Sequence, residues 1–171
     1  MANVNTPISQ LPTVVAIDGS EIVPLDQGGT TKQATIDQII NGGIQTNFPG
    51  AIEFVIDGGS ANISTGVKGY LTVPFNATLN YIELFVSPVG TFEIDVWQCT
   101  YDQYDAGATH PVAADSILQG SYPTVTTGTK AMVSYGGVPT ITAGNVLAFN
   151  IRNAVGVSKA TIALNITRQI T

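Results

Sequence analysis

Charged side chains are scarce in this chain. Asp, Glu, Lys and Arg make up 11% of its 171 residues, against roughly 25% in an average soluble protein. Most of the polar surface must therefore come from Thr, Ser, Asn, Gln and Gly, which suit strands and turns better than helices. The composition alone favours an all-β protein.

Basic residues are the scarcest of the charged ones. There are 6 Lys plus Arg against 12 Asp plus Glu, for a net charge of −6, and the cations are scattered singly. Nucleic-acid binding depends on a basic stripe that displaces counterions from phosphates, so we expect no nucleic-acid partner. No apolar run approaches the ~20 residues that span a bilayer, so we expect no membrane insertion.

Residues for catalysis and metal binding are also few, since the chain has one cysteine and one histidine. Cys99 cannot form an intrachain disulfide and is expected to be a small buried side chain. His110 has no His or Cys nearby to complete a zinc site and is expected to be an exposed loop residue. Gly28-Gly29 and Gly136-Gly137 lack the Lys-Ser or Lys-Thr of a phosphate-binding loop. We therefore predict no catalytic residue, no cofactor and no metal, and expect that the chain is not an enzyme.

The first 48 residues differ in pattern from the rest. Two short apolar runs flank Gly28-Gly29, which suits a hairpin loop. Thr35 and Gln38 have the spacing of a helix capping box, and Asn41-Gly42-Gly43 ends that helix after little more than one turn. So short a helix is stable only when its apolar side chains are buried. Composition leaves open whether they pack on the chain's own second domain or on a partner.

Four motifs within residues 8–40 carry a resemblance to a known class of protein. They are Ile8-Ser9-x-Leu11-Pro12, Gly19-x-Glu21-x-Val23-Pro24, Gln27-Gly28-Gly29-x-Thr31 and Thr35-x-x-x-Ile39. As a set they resemble the N-terminal segment of many bacteriophage tail-fibre and head-fibre proteins, where it joins a variable distal domain to the particle. The resemblance implies that residues 1–48 are a virion-attachment arm. Its docking or oligomer interface would be formed by Ile8, Leu11, Ile22, Val23, Leu25, Ile36, Ile39 and Ile40.

Residues 49–171 are predicted to be a series of strands. In residues 79–86, apolar Ile82, Leu84 and Val86 alternate with outward side chains, and residues 91–97 repeat the pattern with their acids outward. The other predicted strands are 51–56, 69–75, 122–126, 130–134, 138–142, 146–151 and 160–168. About eight strands at this spacing are typical of an antiparallel β-sandwich or jelly-roll-like domain.

A second resemblance covers residues 52–168, which look like the β-sandwich end domains of phage fibre and decoration proteins. It rests on Ile52-Glu53-Phe54-x-Ile56-Asp57-Gly58-Gly59, Asp95-Val96-Trp97 and Ile141-Thr142-Ala143-Gly144-Asn145-Val146-Leu147. It implies trimeric assembly. Strand faces with little charge also invite edge-to-edge pairing, which closed oligomers prevent by covering the edges. We therefore expect a homo-oligomer whose other partners are virion proteins of the capsid or tail.

The irregular stretch 100–120 is where surface function would be expected. Asp102 and Asp105, with Asp115 beyond, could be paired carboxylates for glycoside hydrolysis or oxygen ligands for calcium. Neither spacing is diagnostic, and a solvated acidic loop is the simpler interpretation. The sharpest binding hypothesis is an aromatic and carboxylate platform for host-surface sugars. It would be formed by Trp97, Tyr101, Asp102, Tyr104 and Asp105. By strand parity, Trp97 could equally close one end of the sandwich.

Two hypotheses for the function follow from these patterns. The first is a virion structural protein, a short head- or tail-fibre or decoration protein whose arm docks to the particle and whose sandwich is displayed. The second is a free carbohydrate-binding module or a polysaccharide-depolymerase fragment. The first cation is Lys32, so we expect no secretory signal peptide, with synthesis in the host cytoplasm and final location in the virion.

Overall fold

The computed structural model describes residues 20–36, 38–39, 47–105 and 108–169. The chain divides into two compact units, Met1–Gln45 and Thr46–Thr171. Three residues of the predicted docking interface, Ile8, Leu11 and Ile40, lie outside the described residues. The attachment role of the first unit stays a prediction.

The first unit contains an antiparallel hairpin. Strands β1 (Ile22–Gln27) and β2 (Thr30–Thr35) pair from Ile22 opposite Thr35 to Gln27 opposite Thr30. Gly28 and Gly29 have φ angles of +63° and +76°, and a two-residue turn with positive φ at both positions matches the right-handed twist of the strands. The hairpin thus lies where the glycine pair predicted it.

A short helical segment follows β2, since Ile36, Gln38 and Ile39 have helical backbone. Its start has reciprocal hydrogen bonds. The Gln38 amide donates to Thr35 Oγ1 at 3.1 Å, and the Thr35 amide donates to Gln38 Oε1 at 2.9 Å. The predicted capping box is therefore present, and it satisfies two amides that the helix itself leaves without acceptors.

The second unit is all-β, and its strand pairs are antiparallel, as predicted. The strand order is β3-β9-β5-β8-β4, and β6 and β7 also pair with β5. Its strands are β3 (Asn47–Asp57), β4 (Gly66–Thr72), β5 (Asn76–Cys99), β6 (Thr124–Ser134), β7 (Thr140–Ile141), β8 (Val146–Val155) and β9 (Lys159–Gln169). Pro49, which cannot donate to a strand pair, lies in β3 at the end of this order, where proline is tolerated.

Strand β5 is the longest element, with 24 residues, and it corrects one prediction. Residues 79–86 and 91–97 were predicted as two strands but belong to this one. The part from Asn76 to Ser87 pairs with β9, whereas the part from Thr91 to Cys99 pairs with β8. Residues 122–126 and 130–134 likewise belong mostly to the single strand β6, which pairs with both halves of β5. The turn-forming residues Ser87 to Gly90 change the pairing partner of β5 without reversing the chain.

The two halves of the curled sheet face each other across an apolar core. Phe54 of β3 stacks on Phe149 of β8, with ring centroids 4.1 Å apart and 3° between the rings. These strands belong to different halves, so the stack closes the sandwich. The predicted inward residues Ile82, Leu84 and Val86 are buried. The largest other side chains that are less than 2% exposed are Leu79, Phe92, Ile94, Ile141, Leu147, Ile151, Ile162 and Leu164.

The outer face of β5 and β8 is also covered, which corrects a second prediction. Asp95 was predicted to point to solvent but is 0% exposed. Residues 100–105 and 108–123, here named the covering loop, attach to this part of the sheet. Ser116 Oγ donates to Asp95 Oδ1 at 2.6 Å, and the Ile117 amide donates to the Val96 carbonyl at 3.0 Å. Cys99, on the same face as Asp95, is buried and free, as predicted.

Candidate functional site

Trp97 is held by the buried carboxylate of Asp95. Its indole Nε1 donates to Asp95 Oδ2 at 2.7 Å, while Ser116 binds the other carboxylate oxygen. Burial, together with the nearby Asp95 charge, raises the pKa of Tyr135, whose hydroxyl donates to the Ser121 carbonyl at 2.5 Å. Asp95 therefore connects the covering loop to the sheet through Ser116. The one hydrogen-bond donor of the Trp97 side chain is used in its contact with Asp95.

Replacing Asp95 with Asn is expected to loosen the covering loop. Trp97 and Ser116 both donate to this carboxylate, and an amide offers one acceptor where the carboxylate has two. We expect the free energy of unfolding to fall by about 2 kcal/mol. Trp97 is the only tryptophan, so its fluorescence emission should move to longer wavelength as the indole becomes more exposed to solvent. Asp102→Asn, at an exposed residue, is the matched control, and an equal loss in both variants would contradict the role of Asp95.

Asp105 organises the outer part of the covering loop. Its carboxylate accepts hydrogen bonds from the Thr109 hydroxyl, from the Thr109 amide at 2.8 Å and from the His110 amide at 3.2 Å. These hydrogen bonds, that of the Thr109 side chain first, lower the pKa of Asp105 to about 2. The carboxylate is therefore ionised near neutral pH and is already occupied by groups of its own loop.

His110 was predicted to be an exposed loop residue, but it is partly buried and contacts Asp115. Its side chain is 36% exposed, and its Nδ1 lies 2.9 Å from Asp115 Oδ2, which also accepts from the Val112 amide at 2.8 Å. Asp105 and Asp115 thus each have local structural partners. Within the described part of the chain, no group of three or more His, Cys, Asp or Glu side chains is placed to hold a metal ion.

A surface groove lies between β4 and the start of the covering loop. Its volume is about 510 Å³, and it is lined by Tyr70, Leu71, Thr72, Tyr101, Tyr104 and Val146. The rings of Tyr70 and Tyr104 meet edge to face, with centroids 4.9 Å apart and 77° between the planes. Tyr101 is 71% exposed. The structure therefore brings together two tyrosines of the predicted platform and adds Tyr70.

Other residues of the predicted platform lie outside this lining. Asp102 and Asp105 are exposed, and Trp97 is separated from Tyr70 by a strand, because Ala148 of β8 pairs with both. Tyr70 was missed because its proximity to Tyr104 depends on the pairing of β4 with β8 and on the path of the covering loop. Neither has a local signal in the sequence.

The predicted docking residues of the first unit form a partly exposed apolar set. Ile22, Leu25 and Ile39 are 62%, 40% and 36% exposed, respectively. Val23 and Ile36 are half-buried. The hairpin and Ile39 after it therefore present apolar side chains at their surface.

Comparison with known proteins gives weak structural likenesses, of which two are described. No protein-family model and no curated protein sequence matches the chain. Among solved structures, the chain is similar to a chain of the cyanophage Pam1 capsid asymmetric unit, with 17% identity, a TM-score of 0.33 and 100% of both chains covered. It is also similar to a chain of the native virion of Kashmir bee virus at neutral pH, with 11% identity, a TM-score of 0.31 and coverage of 96% and 94%. Both TM-scores are too low to support an argument about function.

Among the described residues, no helix has the length and apolar character needed to span a bilayer.

Proposed function

We propose that the chain is a structural protein of a bacteriophage virion, a short head- or tail-fibre or decoration protein. Its first unit docks to the capsid or tail, and its β-sandwich is displayed from the particle, where it adheres to host-surface glycans. The observation that carries the proposal is the apolar surface of the arm, together with the motifs of residues 8–40. The protein is made in the host cytoplasm and functions in the virion.

The exposed side chains of the arm give the proposal its physical basis. A two-stranded hairpin is marginally stable by itself in water. Burying the exposed parts of Ile22, Leu25 and Ile39 on a partner would stabilise the unit by about 1 kcal/mol for each side chain. This stabilisation requires an apolar groove on the partner. We propose that the partner is another virion protein.

An exposed apolar face on the half-sheet of β3, β9 and the first part of β5 supports a proposal of self-association. Val55 of β3 pairs with Thr161 of β9, which pairs with Phe85 of β5, so these residues form one row across the strands. Met132 lies opposite Glu83 in the next row of the same face. Val55, Phe85 and Met132 are 64%, 48% and 65% exposed. We propose that this face contacts copies of the same chain in a homo-oligomer, and that the oligomer is a trimer.

We also propose that the chain is not an enzyme. Asp102 and Asp105, with Asp115 beyond, were the carboxylates nearest to a catalytic pattern. Asp102 is exposed, and Asp105 and Asp115 are each engaged by amides and side chains of the covering loop. These contacts favour a structural role. The alternative function is a free carbohydrate-binding module or a depolymerase fragment, which the groove beside Tyr101 also fits.

Removing residues 1–45 is expected to abolish incorporation into particles. The deletion takes away the apolar arm but leaves the second unit, whose core comes from its own strands. Full-length and truncated chains would be supplied in an infection by the virus that encodes the protein, with the native copy deleted. The measurement is the amount of each chain that sediments with purified particles.

A double substitution of Ile22 and Leu25 to Asp in the full chain is the finer variant of this test. The matched control is Val138→Asp with Val155→Asp, since these exposed side chains lie in the second unit and outside the proposed oligomer face. The proposal expects loss of incorporation in the arm variant and retention in the control. Particles that still carry the truncated chain, or never carry the full chain, would favour a free carbohydrate-binding protein.

A further inference from the structure

The groove beside Tyr101 has the dimensions of a ligand site. Its volume of about 510 Å³ falls within the roughly 300–1,000 Å³ of small-molecule sites. Strand β4 contributes Tyr70, Leu71 and Thr72 to the lining, and the covering loop contributes Tyr101 and Tyr104. Since β4 and the covering loop are attached to the same half-sheet, the groove is preformed.

The three tyrosines divide into a fixed pair and a free ring. Tyr104 meets Tyr70 edge to face, an arrangement that stabilises aromatic pairs and holds both rings in place. Tyr101 has 71% of its surface exposed and lines the same groove. The fixed pair therefore forms a rigid wall, and the free ring can close on a ligand that enters beside it.

The chemistry of the lining fits a sugar ring. A pyranose has C–H groups on its faces, which pack on the electron-rich face of an aromatic ring, and hydroxyls around its edge. Tyrosine and threonine hydroxyls can donate and accept hydrogen bonds to those groups. Leu71 and Val146 supply apolar contact, and the side chains that line the groove carry no charge at neutral pH.

One acidic side chain lies next to the lining, since Asp105 directly follows Tyr104 in the covering loop and is exposed. Burial raises the pKa of Tyr70, and the neighbouring Tyr104 and Asp105 raise it further. Asp105 is ionised near neutral pH, and the chain carries a net charge of −6. An acidic ligand would meet like charge on entry.

We infer that the groove formed by Tyr70, Tyr101 and Tyr104 binds a neutral oligosaccharide and discriminates against acidic ones. The inference deepens the proposed adhesion to host glycans and rests on that part of the proposed function. It assigns recognition to the three tyrosines and leaves Trp97 with the buried Asp95.

Binding of defined oligosaccharides to the full chain tests this inference. The neutral probes are maltotriose, cellotriose, chitotriose and galactotriose, and the acidic probes are trigalacturonic acid and sialyllactose. Tyrosine ring resonances would be followed by NMR during each titration. We expect at least one neutral probe to shift the groove tyrosines, with acidic probes at least about tenfold weaker.

Two variants locate the binding site. Tyr101→Ala, at an exposed side chain, should fold normally and weaken binding by about tenfold, while Tyr101→Phe should retain most of it. Phe48→Ala removes an exposed ring of β3, in the other half of the sheet, and should leave binding unchanged. The inference is overturned if no neutral probe binds, if acidic probes bind equally well, or if Tyr101→Ala binds like the parent.

Saccharide binding and incorporation into particles are measured independently, so either proposal can fail without the other. Absence of saccharide binding, with arm-dependent incorporation intact, overturns the groove assignment alone. Saccharide binding that depends on Tyr101 in a chain never found on particles supports the groove and overturns the proposed virion role.

Discussion

Phe149→Ala is expected to lower the free energy of unfolding by about 4 kcal/mol, because it removes a fully buried ring and leaves a cavity in the core. Phe149 is 0% exposed and stacks on Phe54 from the opposite half of the sheet. The loss is a large part of the roughly 5–15 kcal/mol that stabilises a typical domain. Urea unfolding followed by Trp97 fluorescence would measure it.

Phe48→Ala is the matched control for this prediction. Phe48 is the same residue type in the same sheet, but it is 39% exposed. Its removal from the isolated chain should cost less than about 1 kcal/mol, since surface substitutions usually change stability little. Equal losses in the two variants would contradict the packing of the two half-sheets around Phe149.

Gly90→Ala is expected to lower the free energy of unfolding by about 3 kcal/mol, the upper part of the range for forcing extra atoms into a packed site. A β-carbon at this position would collide with the Val155 carbonyl oxygen and lie 2.7 Å from Val157 Cγ2. The carbonyl belongs to the backbone, so relieving the collision requires the end of β8 to move. Denaturation midpoints with their slopes would measure the effect.

Gly50→Ala provides the control at another strand glycine. A β-carbon there would meet Ile166 Cγ1 at 3.8 Å, which is ordinary contact, so we expect a change within about 0.5 kcal/mol. If Gly90→Ala were equally harmless, β5 could not pass as close to the residues after β8 as the structure places it.

The parts of the fold that could be predicted from sequence are those with local causes. Alternation at Ile82, Leu84 and Val86 predicted a half-buried strand, because side chains of a strand point to opposite faces in turn. Gly28-Gly29 predicted a hairpin turn, since both positions need positive φ. Thr35 and Gln38 predicted a helix start from their spacing alone.

The parts that could not be predicted depend on tertiary contacts. Residues 79–86 and 91–97 were predicted as separate strands, yet one strand continues through Ser87 to Gly90 because β5 exchanges β9 for β8 as its partner. Asp95 was predicted to be solvated from its alternation with Ile94 and Val96. It is buried because the covering loop lies over its face, and a loop that packs on a sheet carries no periodic signal.

In the candidate site, too, residues with a local signal were predicted and those that depend on tertiary contacts were not. Tyr101 and Tyr104 were predicted from their position in an irregular segment rich in aromatic and acidic residues. Tyr70 was not predicted because it belongs to a strand far away in sequence. Trp97 was assigned to the same platform because it is close to Tyr101 along the chain, although its indole lies against Asp95 instead.

The most direct test of the central claim is an electron cryomicroscopy map of purified particles, compared with particles that lack the gene for this chain. The account predicts density for the hairpin of residues 22–35 seated on a capsid or tail protein, with Ile22 and Leu25 buried in that contact. It also predicts the β-sandwich projecting from the particle as a homotrimer. Identical maps for both kinds of particle, or a chain attached through its sandwich with the hairpin free in solvent, would contradict it.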